Sequence, residues 1–283
     1  MQSTVAALGT FDGVHIGHHA VLESALGHDG LRPICLSFQS TPKNALGIQT
    51  PLLLTDAQRT EKIKQTGFAE VVLFDFAAVR HQLPAEFLDF IVKTYQIRAL
   101  CCGFNYRFGA DGRGDIDFLR RYCAQNDLRL TVTDAVTVNG VPVSSTEIRT
   151  RISGGEIEQA NTMLGYNFFI AGIIVHGFKR GRTIGFPTIN QDIEPTLCCP
   201  KHGVYVSSVL VDGKRYKGLT NIGNNPTFAL PAAKAETYIH GFSGDIYGKH
   251  AKVELLHFVR PEIRFTSADQ LKAQIQSDLK TIL

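Results

Sequence analysis

The stretch Val5-Ala6-Ala7-Leu8-Gly9-Thr10-Phe11-Asp12-Gly13-Val14-His15-Ile16-Gly17-His18 decides the fold of the first half of this chain. Val5 to Leu8 is a short apolar run ended by Gly9, Thr10-Phe11-Asp12-Gly13 reads as a turn, and Gly17 to Leu26 reads as a helix. Strand, glycine turn and helix make the opening unit of a parallel α/β sheet. Further apolar runs at Arg32 to Phe38, Glu70 to Phe74, Ala99 to Cys102 and Arg129 to Thr133 alternate with helical patterns at Asp56 to Thr66, Ala85 to Tyr95 and Asp115 to Asn126. That rhythm predicts a doubly wound, Rossmann-like sheet. Gly67 follows one helix where a left-handed C-cap is favoured, and Pro84 sits near the first turn of the next.

After about Gly165 the period changes from helical spacing to two-residue alternation, at Phe168 to Val175, Val204 to Val211, Arg215 to Ile222, Ala235 to His240 and Lys252 to Val259. Asp212-Gly213 between two such runs is a hairpin turn, because both residues tolerate positive φ. The second half is therefore expected to be an antiparallel β-barrel. Ser267 and Gln270 have capping-box spacing, and Leu271, Ile275, Leu279 and Ile282 share a helical face, so one helix closes the barrel. A helix from Thr146 to Met163, broken at Ser153-Gly154-Gly155, precedes the change, which puts the expected domains at 1–164 and 165–283.

The 283 residues hold 29 basic and 26 acidic side chains, a net charge of +3, too balanced for general nucleic-acid or membrane binding. Any preference for anions must be local. The six cysteines include the adjacent pairs Cys101-Cys102 and Cys198-Cys199 but no C-x-x-C spacing, which argues against a zinc knuckle or a disulfide framework. Met1 to Leu8 lacks a basic start or a long apolar segment, and no later window reaches membrane-spanning length. A cytoplasmic protein acting on small molecules is expected, with its oligomeric state left open.

Two local patterns suggest chemistry. His15 and His18 lie three apart at a helix start, so both imidazoles can face an anion on the N-terminal dipole. Phosphate suits that place, and Gly17 would let the backbone approach it closely. Two surface histidines or part of a metal site would look the same. Further on, Gly181-Arg182-Thr183-Ile184-Gly185-Phe186-Pro187-Thr188-Ile189-Asn190 runs from a glycine-bounded basic turn into a strand. Period-two geometry sends Thr188 and Asn190 to one face, and a hydroxyl beside an amide oxygen suits magnesium. An ordinary barrel strand after a turn is the plain alternative. Gly177 and Gly181 are too close for a Walker A loop, and no Gly-Lys-Ser/Thr follows.

With His176-Gly177-Phe178-Lys179-Arg180 before it and Glu236-Thr237-Tyr238 beyond, the Pro187-Thr188-Ile189-Asn190 run resembles the Pro-Thr-Ala-Asn signature of riboflavin kinases. Ile189 replaces the alanine, on the side away from the metal face. The Gly9 to His18 loop resembles the nucleotidyltransferase superfamily, specifically the adenylyltransferase half of bacterial bifunctional riboflavin kinase/FMN adenylyltransferases. Cys102-Gly103-Phe104-Asn105-Tyr106-Arg107-Phe108-Gly109 and Val143-Ser144-Ser145-Thr146-Glu147-Ile148-Arg149 match that half too. Phe242 to Lys249 and Phe258 to Glu262 match the kinase half.

The resemblance implies a two-step synthesis of FAD from riboflavin through FMN, each step using ATP and Mg2+. It implies that Glu236 is the kinase base, with Glu254 as a weaker alternative. Thr188 and Asn190 would hold magnesium, and Gly177, Lys179, Gly181 and Gly185 would cover the ATP phosphates. In the first half, His15 and His18 would act on the phosphoryl centre, with Gly9, Phe11, Asp12 and Gly17 in the nucleotide loop. Ser145, Thr146 and Arg149 would hold ATP phosphates and Asn105 the flavin. Ser144 with Glu147 also has capping-box spacing, and an arginine at this place in a helix is usually solvated. Where the family commonly has Asp-Pro-His-Pro, this chain reads Phe38-Gln39-Ser40-Thr41-Pro42. A kinase with an inactive first domain and a flavin-binding sensor without turnover are the competing readings.

Overall fold

The computed structural model describes residues 2–39, 42–45, 47–177, 181, 184–224 and 233–282; Ser40, Thr41 and Lys179 lie outside them. The chain divides into two units, Met1–Ser145 and Thr146–Leu283.

The first unit runs β1 (Thr4–Leu8), α1 (Ile16–Leu26), β2 (Arg32–Phe38), α2 (Pro42–Ala45), α3 (Asp56–Gln65), β3 (Glu70–Phe74), α4 (Phe76–Val79), α5 (Pro84–Tyr95), β4 (Ile97–Gly103), α6 (Ile116–Gln125) and β5 (Arg129–Thr133). A ribbon of β6 (Thr137–Val138) and β7 (Val141–Pro142) follows. The five main strands are parallel in the order β3-β2-β1-β4-β5, as the alternation of strand and helix predicts. Leu8 pairs with Leu36 on one side and Cys102 on the other, so β4 runs one residue and β2 two residues past the end of β1. Strand order reverses between β1 and β4, with β2 and β3 added on one side and β4 and β5 on the other, the switch point where open α/β sheets take ligands. The core joins Leu8, Ile34, Leu36 and Leu100 of the sheet to Leu88 and Ile91 of α5 and Leu119 of α6. Each such side chain stabilises the unit by about 1.5–3 kcal/mol.

The second unit contains α7 (Ser145–Gly154) from its second residue, α8 (Ile157–Leu164), β8 (Phe169–Ile173), β9 (Thr188–Asp192), β10 (Gly203–Val211), β11 (Lys214–Asn224), β12 (Ala233–Ile239), β13 (His250–Arg260) and α9 (Ala268–Leu279). The expected helix break is at Gly155, whose φ of 85 an L-residue would adopt only with strain. Residues from Thr146 group with the barrel although β alternation starts later. Asn161 explains part of this: its amide donates to Leu255 O at 2.8 Å and accepts from Phe168 N at 2.7 Å, tying α8 to β13.

The antiparallel sheet runs β8-β13-β10-β11-β12-β9, and an antiparallel bridge between Val175 and Asn190 brings its two edges together into a nearly closed barrel. Asp212 (φ 49) and Gly213 (φ 73) make the expected hairpin. At α9, Ser267 caps as expected, but Gln270 Oε1 accepts from Thr266 N and Oγ1 and not from Ser267 N. Ile282 and Leu279 pack with Val204 and Leu219, closing one barrel end. Among the described residues no helix is long and apolar enough to cross a membrane.

Candidate functional site

In the barrel, β12 pairs antiparallel with β9, setting Glu236 opposite Asn190 and Tyr238 opposite Thr188. Side chains alternate along both strands, so the four share a face. All four line a cavity of about 340 Å³, together with Gly181, Phe186 and Asn221. The rest of its lining mixes apolar side chains, Val204 and Leu219 from the barrel, Ile263 and Phe265 after β13, and Leu271 and Ile275 from α9, with the charged Arg260, Glu262 and Asp278. Ile189 faces the other way and is buried at 7% exposure. Glu254 is held elsewhere, by Arg215 at 2.7 Å and Lys252 at 2.8 Å. Burial pushes its carboxyl up, but hydrogen bonds from those two cations outweigh this and leave it below the ordinary range.

Asn190 is buried, and its amide lies directly on the backbone of Gly177. A Cβ on Gly177 would stand 2.4 Å from Asn190 Nδ2, so glycine there makes room for the amide. Gly181 O accepts from Phe186 N at 2.8 Å, and its missing Cβ would meet Phe186 O at 2.3 Å. Gly185 has φ 89. Gly181 O accepts from both Ile184 N and Phe186 N just before β9, while Gly177 gives the Asn190 amide its room. A hydroxyl, an amide oxygen and a carboxylate on one face form an all-oxygen donor set, which fits magnesium. Beyond the sequence signals, Arg260 and Asp278 form a buried pair at 2.7 Å that fastens α9 beside the cavity.

In the first unit, His15 is the N-cap of α1. Its Nδ1 accepts from His18 N at 3.2 Å, which leaves Nε2 as the ring donor. The two rings stack with centroids 3.6 Å apart. Burial, followed by the charges of His15, His19 and Arg59, holds His18 well below the ordinary imidazole value, so it is neutral at pH 7. Its Nδ1 is buried and makes no hydrogen bond among the described residues. Phe11 is buried edge-on to His18, over Gly9, where a Cβ would meet its ring at 3.0 Å. Gly17 has a packing role not read from sequence, since a Cβ there would sit 3.3 Å from the His15 ring.

The loop carrying these residues is strained: Phe11 (φ 50) and the β-branched Val14 (φ 40) lie in the left-handed region beside Gly13 (φ 85). Hydrogen bonds hold it there. Asp12 Oδ1 accepts from Leu53 N at 2.9 Å, and the Asp12 carbonyl accepts from Ser145 Oγ at 2.8 Å. Thr10 O accepts from Ser37 Oγ at 3.1 Å and from Arg59 at 2.6 Å. Ser145 begins α7, on which Arg149 donates to Thr146 Oγ1 at 3.3 Å. Glu147 accepts from Arg151 at 2.8 Å. Asn105 is exposed just beyond β4, at the switch point beside the histidine loop. Gln39 is exposed beyond β2, its N–H bonded to Phe74 O. Sequence reading did not find Arg59, since an arginine inside a helix ordinarily marks a solvated face.

Residues 1–147 match the family described as FAD synthetase, and residues 164–283 the family described as riboflavin kinase. A Listeria monocytogenes protein named bifunctional riboflavin kinase/FMN adenylyltransferase is 36% identical over 97% of this chain and 90% of its own length. Its namesake from Bacillus subtilis is 32% identical, again over 97% of this chain and 90% of its own length. A solved Streptococcus pneumoniae structure described as a macrolide-efflux protein is 32% identical, with a TM-score of 0.92 over 99% of this chain and 94% of that one. The chain belongs to the bifunctional riboflavin kinase/FMN adenylyltransferase family.

Proposed function

We propose that this chain makes FAD in two steps: ATP phosphorylates the ribityl 5′-hydroxyl of riboflavin to give FMN, and a second ATP adenylylates FMN, releasing pyrophosphate. Kinase activity is assigned to residues 165–283 and adenylylation to 1–164. The observation that carries the reading is the register of β9 and β12, which gathers Thr188, Asn190 and Glu236 on one cavity whose lining also offers apolar side chains such as Val204, Leu219, Ile263 and Phe265. Riboflavin has the matching division, a polyol chain on a flat, largely apolar ring system.

Glu236 accepts the proton of the attacking hydroxyl. Thr188 and Asn190 would hold Mg2+, which when bound neutralises charge on the transferring phosphate. Gly177, Gly181 and Gly185, with Lys179, cover the ATP phosphates. In adenylylation His15 and His18, at the start of α1, donate to the phosphoryl centre as charge builds there. Gly9, Phe11, Asp12 and Gly17 shape that loop, Ser145, Thr146 and Arg149 take the leaving diphosphate, and Asn105 contacts the flavin. The substrates are small molecules, without nucleic acid or membrane, and the six free cysteines suit the reducing cytoplasm.

Separate assays from riboflavin and from FMN test the division. Glu236→Gln is expected to abolish FMN formation while supplied FMN is still adenylylated, and His18→Asn to do the reverse. A folded single variant that loses both activities would refute two independent sites.

A further inference from the structure

The strained loop between β1 and α1 needs an external brace, and the donors that reach it can be compared. Leu53 N and Ser145 Oγ fix Asp12, and Ser37 Oγ reaches Thr10 O from the adjacent strand. Arg59 does more than any of these. Its guanidinium comes from α3, is 2% exposed, and donates at once to Thr10 O at 2.6 Å, to Phe38 O, and to Asp56 Oδ1 at 2.7 Å. Thr10 begins the strained turn that leads to the imidazoles, and Phe38 is the last residue of β2, immediately before the Gln39 segment. One planar fork therefore sets the spacing between the two loops beside the switch point, a geometry that a single ammonium could not reproduce.

The placement is costly. Arg59 Nε is buried without a hydrogen-bond partner among the described residues, and the paired Asp56 carboxylate is 38% exposed. The Asp56 contact is an i,i+3 pair within α3 and ties that helix to nothing else. The two carbonyl contacts are the ones that reach outside α3, to the start of the histidine loop and to the end of β2.

We propose that Arg59 is a positioning residue for adenylyl transfer, fixing the histidine loop against the end of β2 without touching either substrate. The proposal rests on the reading of the first unit as the adenylyltransferase. It is tested in the full chain with Arg59→Lys and Asp56→Ala, measuring FAD formation from FMN and FMN formation from riboflavin. Arg59→Lys keeps the charge but cannot span both carbonyls. Its kcat for FAD formation is expected to fall on the order of 10²-fold, the usual cost of a reacting group displaced by about 1 Å. KM values for ATP and FMN and the rate of FMN formation should stay at wild-type levels. Asp56→Ala, which keeps both carbonyl contacts, should adenylylate normally.

Wild-type kcat in Arg59→Lys, equal losses in the two variants, or loss of the first unit's thermal transition in Arg59→Lys would overturn the proposal in favour of a structural staple. A wild-type chain that makes no FAD from FMN would instead remove the reading of the first unit on which it rests.

Discussion

Gly177→Ala probes the kinase site by displacing Asn190 while leaving the chemical groups of Thr188, Asn190 and Glu236 intact. Gly177 does not have a left-handed φ, so its backbone accepts alanine, and the new methyl acts only through what it meets. It meets Asn190 Nδ2 at 2.4 Å and Asn190 Cγ and Oδ1 at 2.6 Å, where ordinary contact begins near 3.4 Å. The amide must therefore retreat by about 1 Å, and because it is buried it cannot do so freely. A displacement of that size at a positioned group lowers the rate on the order of 10²-fold, or about 2.7 kcal/mol in barrier. The assay is FMN formation across a magnesium titration, with adenylylation of supplied FMN as an internal control that should not change. If the methyl acts only through Asn190, Gly177→Ala combined with Asn190→Ala will be no slower than Asn190→Ala alone. A Gly177→Ala enzyme with wild-type kcat would refute the placement of Asn190 in the kinase site.

Asp278→Ala leaves the Arg260 guanidinium unpaired at the foot of α9, where the partners are only 5% and 15% exposed. Breaking such a pair typically destabilises by about 3–5 kcal/mol, so the second unit's thermal transition should drop and riboflavin KM should rise, both read on the same preparation. His18 gives a pH signature. Its folded pKa lies below the ordinary 6.5, so the unfolded chain binds the extra proton. The first unit should therefore lose stability as pH falls through 6.5 toward the folded value, and stay level in this respect above 6.5. Urea midpoints at about pH 5 and pH 7 should differ less in His18→Gln than in the wild-type chain, because His19 and His28 titrate in both.

Most of the fold was legible because its signals are local. The switch from strand–helix alternation to period two after Gly165 separates sheet from barrel, and Asp212-Gly213 and Gly155 take the positive φ their positions suggest. Thr188 and Asn190 could be put on one face from spacing alone. That Glu236 lies directly across from Asn190 could not, because pairing of β12 with β9 is a long-range choice made by the whole barrel. Long-range burial also explains why Arg59 was missed. Nothing in Thr55 to Gln65 distinguishes it from Lys62 and Lys64 of the same helix until Thr10 and Phe38 are folded against it. Gly17 and Gly177 were read as places for close approach to phosphate. The structure adds that each makes room for a neighbouring side chain, His15 and Asn190 respectively.

The most direct test of two active sites in one chain is chromatography of the purified protein with ATP and magnesium, started once from riboflavin and once from FMN. FMN followed by FAD is expected from the first reaction, and FAD from the second. FMN from the first with no FAD from the second would contradict the bifunctional reading. The strained histidine loop and its Arg59 brace would then be a scaffold retained by a riboflavin kinase.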